Sequence, residues 1–159
     1  RFHREVKYSM ADMEEVFFAK ECLAECKDAG LYEEALLQAE SFLQQRIYDA
    51  DLMFEAADLY FMAGDYSKAL LWCDSILELD PQHKGARILM ARICVLGDCP
   101  KDGLRFLDEV LVEDQTLNHQ AAERIRYLLE YLSYRKDFSC LLQEHPLAKA
   151  FWENTAGRV

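Results

Sequence analysis

Apolar residues recur along this chain at intervals of three and four. Leu52, Ala56, Leu59 and Tyr60 show the spacing in one stretch, and Ile125, Leu128, Leu129 and Leu132 show it in another. Such spacing gathers apolar side chains on one face of an α-helix. The pattern runs from Ser9 to about Gln143, and no apolar–polar alternation of useful length predicts a strand. Three prolines and six glycines punctuate the 159 residues. Pro81 and Pro100 fall between helical runs, as do Gly30, Gly64 and Gly97. Proline cannot continue a helix, and glycine releases one through a left-handed cap. The chain is therefore predicted to be all-α.

The punctuation is periodic. Shifting the sequence by 34 residues lays Gly30 on Gly64, Tyr32 on Tyr66, and Ala35 on Ala69 and then Gly103. Leu36, Leu70 and Leu104 superpose, and so do Leu43, Leu77 and Leu111. A fixed period of this length marks a stack of helical hairpins. Within residues 50–83 the marks are Ala57, Tyr60, Gly64, Ala69, Cys73 and Pro81. Small residues at Ala57 and Ala69 let two antiparallel helices cross closely, Tyr60 fills space between helices, and Pro81 stops the second helix.

This pattern resembles the tetratricopeptide repeat family. The resemblance covers residues 16–49, 50–83 and 84–117, strongest in the middle repeat. The first repeat has Ile47 and the third Gln115 where the family has proline, and the third has its turn glycine one residue early, at Gly97. Pro100 reads as the first residue of the following helix. Residues 1–15 are read as an extension and the start of a long first helix, with a capping box at Ser9 and Asp12. That helix is predicted to reach about Ala29. Residues 118–159 are read as a capping region: one amphipathic helix over 118–134, then a short helix, a break at Pro146, and a segment with Leu147, Phe151 and Trp152. The resemblance implies an all-α, right-handed helical-hairpin solenoid with C-terminal capping helices.

Composition narrows the function classes. The net charge of −11 opposes nucleic acid and anionic membranes as partners, because phosphate binding needs a basic surface. No apolar run approaches the length of a membrane span. The opening "RFHREVKYS" has neither the apolar core of a signal peptide nor an initiating Met, so a fragment or processed chain is expected. The six cysteines are expected to be reduced cytosolic thiols, and the protein cytoplasmic. Cys22, Cys26, Cys73 and Cys94 fall at helix-packing positions, and Cys99 falls in a turn. Cys22 and Cys26 lack the His or second Cys pair that a metal site needs. No phosphate loop, zinc-protease motif, nucleophile elbow or calcium loop appears. No catalytic residue, metal or cofactor is expected.

The resemblance also places a ligand. In this family the first helices line a concave groove. The positions that face it are Phe17, Lys20, Glu21, Ala24, Lys27 and Asp28, then Asp51, Phe54, Glu55, Asp58, Phe61 and Met62, then Gly85, Ile88, Leu89, Arg92, Val95 and Leu96. One family use is a clamp for the C-terminal carboxylate of chaperone tails. Of its residues only Lys20 is matched; Ala24, Glu55, Gly85 and Leu89 stand at the others, and Glu55 would repel a carboxylate. The expected groove is apolar with an acidic rim. Phe17, Lys20, Asp51, Phe54, Glu55, Asp58, Phe61, Met62, Ile88, Leu89 and Arg92 are its candidate residues. The expected function is a non-enzymatic protein-interaction module that binds a peptide or amphipathic helix with apolar anchors and basic residues. Two alternatives stand beside it. The C-terminal Phe151–Trp152 segment fills the groove or the chain self-associates, or the chain is a helical appendage or oligomerisation scaffold of a larger polypeptide.

Overall fold

The computed structural model describes residues 10–45, 48–112 and 117–155, with side chains from Met13 onward. The described residues form nine helices and no strand. The chain divides into two compact units, one ending at His83 and the other starting at Lys84. The first holds α1 (Met10–Asp28), α2 (Tyr32–Gln44), α3 (Ala50–Met62) and α4 (Tyr66–Leu79). The second holds α5 (Lys84–Leu96), α6 (Pro100–Val112), α7 (His119–Ser133), α8 (Phe138–Gln143) and α9 (Pro146–Thr155). Starts of α2, α4 and α6 fall at Tyr32, Tyr66 and Pro100, the period read from the sequence. The Ser9–Asp12 capping box, Ile47 and Gln115 lie outside the described side chains.

The turns explain the period. Gly30 has φ 77°, Gly64 has φ 84° and Asp98 has φ 60°. Each turn closes with the same pair of backbone bonds. Gly30 N–H donates to Lys27 O and Leu31 N–H to Cys26 O; Gly64 donates to Phe61 and Asp65 to Tyr60; Asp98 donates to Val95 and Cys99 to Cys94. This is the Schellman arrangement, which satisfies the orphan carbonyls of the finished helix. The third turn departs from the glycine expected at Gly97: the left-handed residue is Asp98, in register with Gly30 and Gly64. Aspartate is one of the few side chains that tolerates this conformation.

Starts are equally local. Asp49 accepts from Leu52 N–H at 3.0 Å, Asp65 from Lys68 N–H at 3.2 Å and Asn118 from Ala121 N–H at 2.7 Å. These are N-caps for α3, α4 and α7. Pro100 opens α6 as its first residue, and Pro146 opens α9.

Helices meet at small residues. Ala57 and Ala69 are fully buried in the first unit, as Ala91 is in the second. At Gly103 an added Cβ would lie 2.7 Å from Val95 Cγ2 and 3.1 Å from the Ala91 carbonyl. The two helices α5 and α6 run so close there that a side chain would press on its neighbours, and glycine avoids it. The end of the second unit leaves the hairpin pattern. There α7 packs against α5, and α9 packs against α6. Asp108 of α6 accepts from Ala148 N–H at 2.8 Å and so caps α9 from another helix. Phe138 and Trp152 meet edge to face at 5.5 Å. Phe151 and Trp152 thus join the core that Leu107, Ile125, Leu129 and Leu141 form in this unit.

Candidate functional site

In the first unit α1 and α3 pack side by side. A cleft of about 260 Å³ between them is lined by Lys20, Ala24, Lys27, Asp28, Asp51 and Glu55. All six are groove positions named by the resemblance. Two lysines of α1 cross the cleft. Lys20 Nζ lies 3.0 Å from Asp49 and 3.7 Å from Asp51. Lys27 Nζ lies 2.8 Å from Glu55 and 3.1 Å from Asp58. Lys20 and Lys27 are seven apart, two helical turns, which puts both on one face.

Asp58 is 8% exposed, so Lys27 supplies a charge partner that water cannot. Burial alone would lower the Lys27 ammonium. The hydrogen bond and charge of Glu55, with the charge of Asp58, outweigh that and hold it above the usual lysine range. The acids expected to meet a basic ligand are thus already engaged within the chain. Still, the cleft and its ion pairs set Asp28, Asp49, Asp51, Glu55 and Asp58 against Lys20 and Lys27, five carboxylates to two ammonium groups.

The apolar side chains at the groove positions differ in availability. Phe17 is 64% exposed and Met62 48%, and Met62 lines a separate recess with Leu31, Tyr32 and Leu36. Phe54 and Phe61 are half-buried. Phe54 rests on the His83 ring at 5.3 Å, and Phe61 on Tyr66 at 5.3 Å. His83 Nε2 also lies 3.0 Å from Asp51 Oδ1. The histidine at the end of the first unit therefore fixes both Asp51 and Phe54. Its sequence position beside Pro81 gave no sign of this, because the contact spans 32 residues.

The remaining candidates belong to the second unit. Ile88 is 2% exposed and lies in the core with Leu104, Leu107 and Ile125. Leu89 is 1% exposed. Both are taken up by packing and offer no surface to a ligand. Arg92 is half-buried.

Among the described residues no group of three or more His, Cys, Asp or Glu side chains could hold a metal. All six cysteines are free thiols. Burial, with the charges of Asp74 and Asp58, pushes the Cys73 thiol up to about 12, far from a reactive thiolate. Among the described residues no helix is long and apolar enough to cross a membrane. What the α1–α3 cleft holds is fixed charge, two lysines each paired with carboxylates of the facing segment.

A family model described as anaphase-promoting complex, cyclosome, subunit 3 matches residues 28–110, more than half of the chain. No curated protein is similar enough to match it. The matched span runs from the end of α1 to the end of α6 and holds all three left-handed turns. Together, the 34-residue register of turns and helix starts and this match show that the chain belongs to that family of tetratricopeptide-like repeats.

Proposed function

We propose that the chain is a non-enzymatic protein-interaction module whose first unit binds a basic peptide or amphipathic helix along the α1–α3 face. One observation carries the reading: Lys20 and Lys27 face the carboxylates of Asp28, Asp49, Asp51, Glu55 and Asp58 across the α1–α3 cleft, while the groove positions Phe17 and Met62 hold exposed apolar side chains on the same two helices. Apolar anchors give affinity, and the excess carboxylates give on-rate and choice of partner. The family's printed description, a subunit of the anaphase-promoting complex, supports a role inside a multi-protein assembly.

The test is selection of random displayed peptides on the whole chain. Enriched sequences should pair bulky apolar residues with Lys or Arg. Phe17→Glu with Met62→Glu, both at exposed positions, should abolish their binding while helicity is unchanged. Enrichment of acidic or uncharged sequences, or binding indifferent to the double variant, sinks the reading. A second reading, a scaffold segment that self-associates, draws on Met13 and Phe18 of α1 and on Tyr127 and Tyr131 of α7, all more than half exposed. Sedimentation equilibrium separates the two: a mass that grows with concentration favours the scaffold.

A further inference from the structure

The first unit holds a second recess, which shares no lining residue with the α1–α3 cleft. Glu40 of α2, Tyr48, Tyr60 of α3, and Lys68 and Trp72 of α4 surround an open hollow of about 380 Å³. Tyr60 is 6% exposed and donates its hydroxyl hydrogen bond to the Glu40 carboxylate. Lys68 Nζ stands 5.3 Å from the centre of the Tyr60 ring. Three aromatic side chains and one carboxylate thus converge on a place where the chain has put its own cation.

The chemistry of such a hollow is specific. Aromatic faces are negative and attract cations, tryptophan most strongly, and a nearby carboxylate completes the charge balance. Lys68 is an exposed lysine on a flexible stem, so its ammonium can leave. A ligand with a plain ammonium would gain nothing over this tethered copy. An alkylated ammonium is less tightly hydrated and adds methyl contacts with the rings, so it has the advantage.

We propose that this hollow binds an alkylated ammonium group, the methylated lysine side chain of a partner protein, in exchange for Lys68. The net charge of −11 favours a cationic ligand and opposes approach to an anionic membrane. Nothing in this site is shared with the α1–α3 face, so Phe17→Glu with Met62→Glu leaves it intact and the two readings fail separately.

The first probe is tetramethylammonium chloride, titrated into the isotope-labelled whole chain. Trp72 and Trp152 are the two tryptophans, so their indole N–H signals report on the hollow and on a control in the second unit. Trp72 should shift saturably while Trp152 stays. The second probe is a short peptide with one trimethyl-lysine, compared with its unmodified twin, which should bind about tenfold more weakly. Lys68→Ala should tighten binding a few-fold by emptying the hollow. Glu40→Gln keeps an acceptor for the Tyr60 hydroxyl but removes the charge, and it should weaken binding. Trp72→Leu should abolish it with helicity retained. No saturable shift of Trp72 in Lys68→Ala overturns the proposal, as does equal binding of the two peptides. Phosphatidylcholine vesicles bound in a Trp72-dependent way, in preference to the peptide, would move the site to a lipid headgroup and overturn the protein partner.

Discussion

At the scale of single residues, Lys27 shows how a surface-looking charge becomes structural. It is the partner of Asp58, which is 8% exposed, and of Glu55. Lys27→Met would strand Asp58, and the expected loss is about 1–3 kcal/mol in urea unfolding. Pairing it with Asp58→Leu should recover part of that, since a matched apolar replacement leaves no buried charge unpaired. Cys73 and Tyr60 give a pH prediction. Burial first, then the charges of Asp74 and Asp58, raise the thiol from 9.0 to about 12. Burial first, then Glu40, raises the phenol from 10.0 to about 12. Both groups hold their protons longer folded than unfolded. Their stabilisation is fully present below the unfolded values and is lost as pH rises through the folded ones. The unfolding free energy, read from urea titrations, should therefore fall between pH 9 and about pH 12, by up to about 1.4 kcal/mol per pH unit for each group. Cys73→Ala should make the fall shallower; an unchanged slope would mean the thiol is not the cause. Little of this could be read in the sequence, because Lys27 meets Asp58 across 31 residues.

At the scale of elements, the turns carry the fold. Gly64 has φ 84° and nothing within 4 Å of an added Cβ, so Gly64→Ala isolates the conformational cost. A loss of about 1–2 kcal/mol is expected. Gly103→Ala tests the opposite case, a helical glycine pressed by Val95 Cγ2 at 2.7 Å. Overpacking there should cost about 1–3 kcal/mol, and Val95→Ala should relieve it in a double-mutant cycle. Pro100 was legible as a helix start and Gly30 and Gly64 as stops, whereas the caps Asp49, Asp65 and Asn118, each acting within three residues, emerged only from the structure. The third turn was half legible. Gly97 draws the eye, but the hydrogen-bond register places the left-handed residue at Asp98.

At the scale of the molecule, a net charge of −11 works against compaction. Added salt screens that repulsion over about 10 Å at 0.1 M. Thermal midpoints should rise between low and moderate sodium chloride, by roughly 2–4 °C for each 1 kcal/mol gained. A fall would mean that the ion pairs of Lys20 and Lys27 outweigh the general repulsion. The same excess of carboxylates should make binding of a basic peptide to the α1–α3 face weaken as salt rises.

The sequence by itself determined the helices, the 34-residue register and the repeat family, because periodicity, caps and turn residues act over a few positions each. The groove positions came with the family resemblance, and six of them line the cleft between α1 and α3. Only the tertiary structure decided which of those side chains are available. Ile88 and Leu89 carry groove positions yet are spent on packing, while Phe17 and Met62 stay open. It alone paired Lys20 and Lys27 with the acids of α3, set His83 against Phe54, and laid α9 on α6. The physical reason is the same in each case. Burial and ion pairing depend on which helix lies across from a residue, and that neighbour comes from a distant part of the chain.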